Sequence, residues 1–216
     1  AGADFLINHG FDSDGRVFFR YKRNGDPIIK RRYLFSEVFA VMALAEYSIA
    51  SKDKSYLKKA LETEAVIQKW NGKLEPKILP SAYSLRGHSM TMIVINMYQI
   101  LREATGEKEK WTEKINQQTK ELFTYFVKPE YKTILECCLP DGSLLDTPAG
   151  RTINPGHCIE TAWFLMEEAL YQKDEELLKK STEILLWSIE KGWDKKYGGI
   201  FSFLDVKGLH PAPIEW

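Results

Sequence analysis

The sequence predicts an all-α protein built from helix pairs, and three observations predict it. Apolar stretches of helical length alternate with amphipathic ones, the alternation occurs three times, and links within a pair are short while links between pairs are long and carry β-turn signals. Helix pairs stacked with a regular alternation of inner and outer members make a toroid or a solenoid.

Residues 34–51 hold Val38, Phe39, Val41, Met42, Ala43, Leu44 and Ala45. They are apolar nearly all round, which predicts an inner helix covered on most sides. Asp53 then offers an N-cap. Tyr56, Leu57, Ala60, Leu61, Ala65, Val66 and Trp70 form one stripe against Lys58, Lys59, Glu62 and Glu64, the pattern of an outer helix. Residues 90–101 are again apolar, whereas residues 111–126 space Ile115, Leu122 and Phe123 among Glu113, Lys114, Gln117, Gln118 and Lys120. Residues 159–170 read as buried. Residues 175–191 read as amphipathic, with Leu177, Leu178, Ser181, Ile184, Leu185 and Ile189 along one side.

The short links fall around Lys52, Gly106 and Lys173. Of the long ones, residues 17–31 read as two strands around Asn24-Gly25, residues 133–145 turn around Asp141-Gly142, and residues 197–209 turn near Lys207-Gly208. All long links lie at one end of the pairs. The N-termini of the inner helices, with Ser36, Glu37, His88, His157 and Glu160, are therefore expected at one mouth. Periodicity alone serves a non-catalytic helical scaffold equally well.

Composition narrows the field. The 216 residues are 44% hydrophobic, enough for one ordinary core, so one domain over 1–216 is expected. Lys plus Arg and Asp plus Glu are equal at 30 each, which supplies no basic field for nucleic acid. No apolar run approaches the roughly 20 residues of a membrane helix and no signal peptide is evident, so a cytoplasmic protein is expected. Cys137, Cys138 and Cys158 suit free thiols in a reducing compartment. Residues 1–9 read as the last turns of a helix and the chain stops after a hairpin signal, so material is expected beyond both ends. An unclosed ring would uncover Val38, Phe39, Met92, Ile93 and Phe164.

The chemistry concentrates in residues 151–160. Asn154 is a favoured N-cap and Pro155 a favoured first helical residue, which puts His157 in the first turn. There the helix dipole disfavours an imidazolium and predicts a neutral ring available as a base. Glu160 lies three residues on, along the same face. A His and Glu at this spacing can begin a metal site, but a third ligand and the two-His spacing of zinc helices are both missing. Cys158 diverges from its neighbour His157 by about 100 degrees on a helix, which disfavours a dyad.

The run Gly150-Arg151, Asn154-Pro155-Gly156-His157, Glu160 and Trp163-Phe164-Leu165 resembles the signature of N-acylglucosamine 2-epimerases, which are similar to cellobiose 2-epimerases and mannose-type isomerases. Asp14-Gly15-Arg16-Val17-Phe18-Phe19, Phe35-Ser36-Glu37-Val38-Phe39 with Met42-Ala43, Trp193-Asp194, Gly198-Gly199-Ile200-Phe201 and Glu215-Trp216 extend the resemblance over almost the whole chain.

The resemblance implies an (α/α)6 barrel, here incomplete. It also implies a cofactor-independent epimerisation of N-acylglucosamine and N-acylmannosamine, by removal and return of a proton at C2 of the open-chain sugar. A cellobiose 2-epimerase or an aldose-ketose isomerase is the alternative, and a non-turning binding scaffold the second. By resemblance, His157 is one of two catalytic histidines, and Glu160 orients it or helps to open the sugar ring. The second histidine is expected beyond Trp216, and His210 does not replace it, so these residues alone are expected to be inactive. Disaccharide-acting relatives place a further His where this chain has Met92; His88, one turn earlier, either lines the mouth or is a hydrogen-bonded structural residue. Glu37, Arg151, Asn154 and Trp163 complete the candidate substrate-binding set, with Arg151 read equally as a loop anchor. The expected partner is a small sugar, with no metal, no nucleic acid and no membrane; a nucleotide activator and a homodimer stay open.

Overall fold

A computed structural model describes residues 1–74 and 84–211. Glu215 and Trp216, which carried part of the resemblance, lie outside the described residues. Seven α-helices appear among those residues. They are α1 (Gly2–His9), α2 (Phe35–Ser51), α3 (Lys54–Trp70), α4 (His88–Thr105), α5 (Lys108–Glu121), α6 (Pro155–Gln172) and α7 (Glu175–Gly192). The short strands between them are β1 (Arg20–Tyr21), β2 (Pro27–Ile29), β3 (Arg86–Gly87), β4 (Val127–Lys128), β5 (Thr133–Ile134), β6 (Cys137–Cys138), β7 (Thr152–Ile153) and β8 (Leu204–Asp205). None of the helices among the described residues is long and apolar enough to cross a membrane.

The three helix pairs predicted from the alternation are α2 with α3, α4 with α5, and α6 with α7. Each link turns through one left-handed residue: Lys52 (φ 61°), Gly106 (φ 74°) and Lys173 (φ 57°). Glycine adopts that conformation freely, whereas each lysine carries a cost of about 1–2 kcal/mol. An aspartate follows each lysine and offsets that cost. Asp53 accepts a hydrogen bond from Ser55 N at 2.9 Å and Asp174 one from Leu177 N at 2.9 Å, so the outer helix starts as the inner one ends.

The described residues fall into two compact units. The first comprises those of residues 1–81 together with Met97–Lys114. In it α2 packs along α3, burying Val38, Val41, Leu44 and Ala45 from one helix and Leu57, Ala60 and Ile67 from the other. Each fully buried Val, Leu or Ile contributes about 1.5–3 kcal/mol. β1 and β2 form the predicted hairpin around Asn24 and Gly25 (φ 93°).

The second unit comprises the described residues of 82–96 together with 115–216. Here α6 packs along α7 over Ala162, Phe164, Leu165, Ala169 and Ile184. The helix predicted to reach Phe126 does so, with its last turn widened: Val127 N donates to Leu122 O, five residues back.

Two hairpin expectations change. The turn at Asp141-Gly142 forms, with Leu139 N donating to Ser143 O at 2.9 Å, but β6 pairs antiparallel with β3 and β5 pairs with β4. Likewise β8 pairs with β7, some 50 residues earlier, rather than with a strand beyond Gly208. Turn residues dictate where a chain reverses and leave the partner to tertiary packing. The uncovered flank is also smaller than expected. Phe39 is 56% exposed, whereas Val38, Met92, Ile93 and Phe164 are buried. Val38 belongs to the packed α2–α3 pair and Phe164 to the packed α6–α7 pair.

Candidate active site

The site is built where β7 runs into α6. Ile153 is paired with Leu204 of β8, which fixes the chain just before the helix. Asn154 is extended, and its side-chain oxygen accepts from His157 N at 3.1 Å; Pro155 fills the first helical position. The end of α7 presses on this turn. A Cβ at Gly192 would lie 2.6 Å from Pro155 Cβ, so only glycine lets α7 end there. The sequence thus places His157 in the first turn of α6 as expected, with its side chain 28% exposed.

Opposite its ring stands Glu136, on the segment between β5 and β6. His88 N donates to Glu136 O at 3.0 Å, and Glu136 N donates to Thr152 O at 3.4 Å, so the backbone is held from both sides. The Glu136 carboxylate meets His157 Nδ1 with Oε1 at 3.0 Å and Oε2 at 3.1 Å. His88 Nδ1 lies 3.6 Å from the same Oε1, beyond hydrogen-bond length. His88 Nε2 meets Thr161 Oγ1 at 3.0 Å, and Thr161 donates its proton to the His157 carbonyl at 2.7 Å.

The electrostatics follow from this geometry. Burial raises the Glu136 carboxyl, but the hydrogen bond from His157 and the nearness of the two imidazoles outweigh it and bring the group down to about 2. The Glu136 hydrogen bond raises His157 above its ordinary 6.5, against burial and with the charges of Glu136 and Glu160 assisting. The helix dipole, expected to favour the neutral ring, is thus opposed by a bond that favours the cation. A direct bond to a carboxylate outweighs the partial charge of a helix end. With Nδ1 bound to an acceptor, the neutral ring carries its proton there and presents a lone pair on Nε2.

The other sequence candidates separate. Glu160 is half-buried, makes no hydrogen bond or ion pair among the described residues, and acts on His157 only through its charge. The orienting position expected for it is filled by Glu136. His88 is fully buried and hydrogen-bonded rather than lining a surface. Arg151 spans Asp205 and Asp146, at 2.8 Å each, which favours the loop-anchor reading. Asn154 spends its side-chain oxygen on the cap. Trp163 is 54% exposed, its ring tilted against Phe164 at 5.1 Å.

Glu37 belongs to the first unit and is fully buried there. Its Oε1 accepts from Arg16 Nε at 2.6 Å and Val17 N at 2.8 Å, while Oε2 has no hydrogen-bond partner. Glu136 and Thr161 were not singled out from sequence. The signal for Glu136 was present: one carboxylate inside the apolar run Ile134-Leu135-Glu136-Cys137-Cys138 must be paired if that run is buried.

Beside the start of α6 lies a cleft of about 380 Å³ lined by Asn154, Gly156, Ile200, Phe201, Ser202 and Phe203. Asn154 and Gly156 belong to the cap and first turn of α6, and His157 is not among the lining residues.

Comparison with known proteins gives the family. The family described as N-acylglucosamine 2-epimerase (GlcNAc 2-epimerase) matches residues 1–214. The N-acylglucosamine 2-epimerase of Bos taurus is 30% identical over 224 residues, covering 100% of this chain and 53% of the bovine protein. A cellobiose 2-epimerase of Dictyoglomus turgidum is 27% identical over 208 residues, covering 87% of this chain and 51% of that protein. The chain thus spans about half the length of the curated relatives it matches. Among solved structures, a cellobiose 2-epimerase from Bacillus thermoamylovorans superposes with a TM-score of 0.79 at 16% identity, covering 93% of this chain and 56% of that one. That likeness is one of fold, the helical barrel of sugar epimerases. With a family match over 214 of its 216 residues, the chain belongs to the N-acylglucosamine 2-epimerase family.

Proposed function

We propose that these residues carry one of the two proton-transfer groups of a sugar 2-epimerase that interconverts N-acylglucosamine and N-acylmannosamine through the open-chain form. The observation that supports the reading best is the bond of His157 Nδ1 to the half-buried Glu136 carboxylate, which leaves Nε2 as the base.

In this reading His157 Nε2 takes the C2 proton and the ring becomes a cation beside Glu136. The sugar becomes the enolate of its C1 aldehyde, and return of a proton to the other face of C2 inverts the centre. A base close to neutrality suits that exchange, because the same group must be able to bind and release the proton near pH 7. Glu160, half-buried and one turn along α6 from His157, is proposed to assist ring opening. The second histidine is proposed, by resemblance, to follow Trp216, so the activity is assigned to a protein of the relatives' length.

The N-acyl-hexosamine is preferred over a disaccharide because Met92, which is buried and apolar, corresponds by resemblance to a histidine of disaccharide-acting relatives. Incubating the full-length natural chain with N-acetylmannosamine, N-acetylglucosamine, mannose and cellobiose in deuterated water tests the reading. Exchange at C2 of the N-acetyl sugars supports it. Exchange confined to cellobiose or mannose supports the relatives' other activity, and no exchange on any of the four overturns the reading.

A further inference from the structure

We propose that His88 is a positioning residue that, through Thr161, holds the first turn of α6 so that the His157 ring stays on Glu136. The proposal rests on the epimerase reading for its kinetic consequence, but not for its geometry.

Four side chains from three separate stretches form a circuit that is open only between His88 and Glu136. His88 opens α4, Glu136 sits between β5 and β6, and His157 and Thr161 lie one turn apart on α6. Glu136 reaches His157 at 3.0 Å, His157 O accepts from Thr161 at 2.7 Å, Thr161 Oγ1 meets His88 at 3.0 Å, and His88 returns to Glu136 at 3.6 Å. His88 is 0% exposed, so its ring does not meet a ligand that arrives from solvent. Its remaining ring neighbour is Phe126, with centroids 5.7 Å apart. A polar ring is costly to bury so completely, and here Nε2 is satisfied by Thr161, whose hydroxyl in turn bonds the His157 carbonyl.

The tautomer follows from the circuit. Thr161 has one hydroxyl proton, and the His157 carbonyl, which has none, takes it. The Thr161 oxygen must therefore accept from His88, so Nε2 of His88 carries a proton. In the neutral ring Nδ1 then presents only a lone pair to Glu136. No second donor competes for the carboxylate, and both of its oxygens stay on His157. Thr161 thereby fixes His88 in the form that leaves Glu136 to its catalytic partner. The other titratable groups near this circuit are Glu160, on the helix of His157, and the thiols of Cys137 and Cys158, both raised by burial and by the charge of Glu136.

Imidazole nitrogen NMR on the protein tests the geometry without any substrate. The proposal expects neutral His88 as the Nε2–H tautomer, and a neutral Nδ1–H tautomer would overturn it. In His88→Leu the titration midpoint of His157 is expected to fall, with kcat for C2 exchange down about tenfold and KM within about twofold. His88→Gln, which restores a donor toward Thr161, is expected to recover part of both. An unmoved His157 midpoint with reduced activity would make His88 merely structural, and a change in KM alone would make it a substrate contact. If His88→Leu does not fold, the wild-type tautomer decides. If the wild-type protein exchanges no sugar proton, the epimerase reading fails while the His157 midpoint still decides the role of His88.

Discussion

Both carboxylate oxygens of Glu136 lie on one nitrogen of His157, at 3.0 and 3.1 Å, so the carboxylate addresses the ring along its edge and dictates which nitrogen carries the proton. The free face of the imidazole is thus defined by a residue 21 positions earlier in the chain.

Removing that charge moves the pH profile in a definite direction. Glu136 raises His157, and a base acts only when deprotonated, so the acidic limb of kcat/KM reports the raised value. In Glu136→Gln the limb is expected to move to lower pH, with a loss in kcat on the order of 10²-fold from the weakened base. A pH-rate profile of C2 exchange checks it. A limb left in place would mean that Glu136 does not act on the base.

The same pair makes stability depend on acid. Glu136 has an ordinary value of 4.5 and a folded value of about 2, so its contribution is complete above 4.5 and is lost as the pH falls toward 2. That difference corresponds to about 3 kcal/mol. The sign for His157 is opposite: its folded value is raised, so its contribution is present below 6.5 and is lost as the pH rises through the folded value. Denaturant unfolding of wild type and Glu136→Gln from pH 2 to 8 should give curves that converge in acid and separate above 4.5. Parallel curves would contradict the coupling.

Much of this was legible in the sequence, for identifiable reasons. The helix pairs follow from apolar periodicity, and the N-cap at Asn154 and the links at Lys52, Gly106 and Lys173 from local chemistry acting over a few residues. Glu136 was harder, because its meaning depends on the pairing of β6 with β3 and on contacts with His88 and α6, which no local pattern encodes. The partner of β8 was hidden for the same reason. The upward shift of His157 was not foreseen because the helix dipole was visible in the sequence and the carboxylate facing the ring was not.

Glu37 gives a separate test in the first unit. Its carboxylate is fully buried against Arg16, whose side chain is 5% exposed, and it also accepts from Val17 N. Breaking one side of a buried pair leaves an uncompensated charge, so Glu37→Ala is expected to lose about 3–5 kcal/mol of stability. Denaturant unfolding checks it. A stable variant with a raised KM would instead make Glu37 a substrate-binding group.

The most direct test of the central claim is proton exchange at C2 by His157→Asn, made in the full-length natural chain and followed by NMR in deuterated water with N-acetylmannosamine. Asparagine keeps a polar group of similar reach at Nδ1 but removes the Nε2 lone pair. The account predicts that exchange falls by at least about 10³-fold while helical circular dichroism is retained. Exchange at the wild-type rate in a folded His157→Asn protein would contradict it.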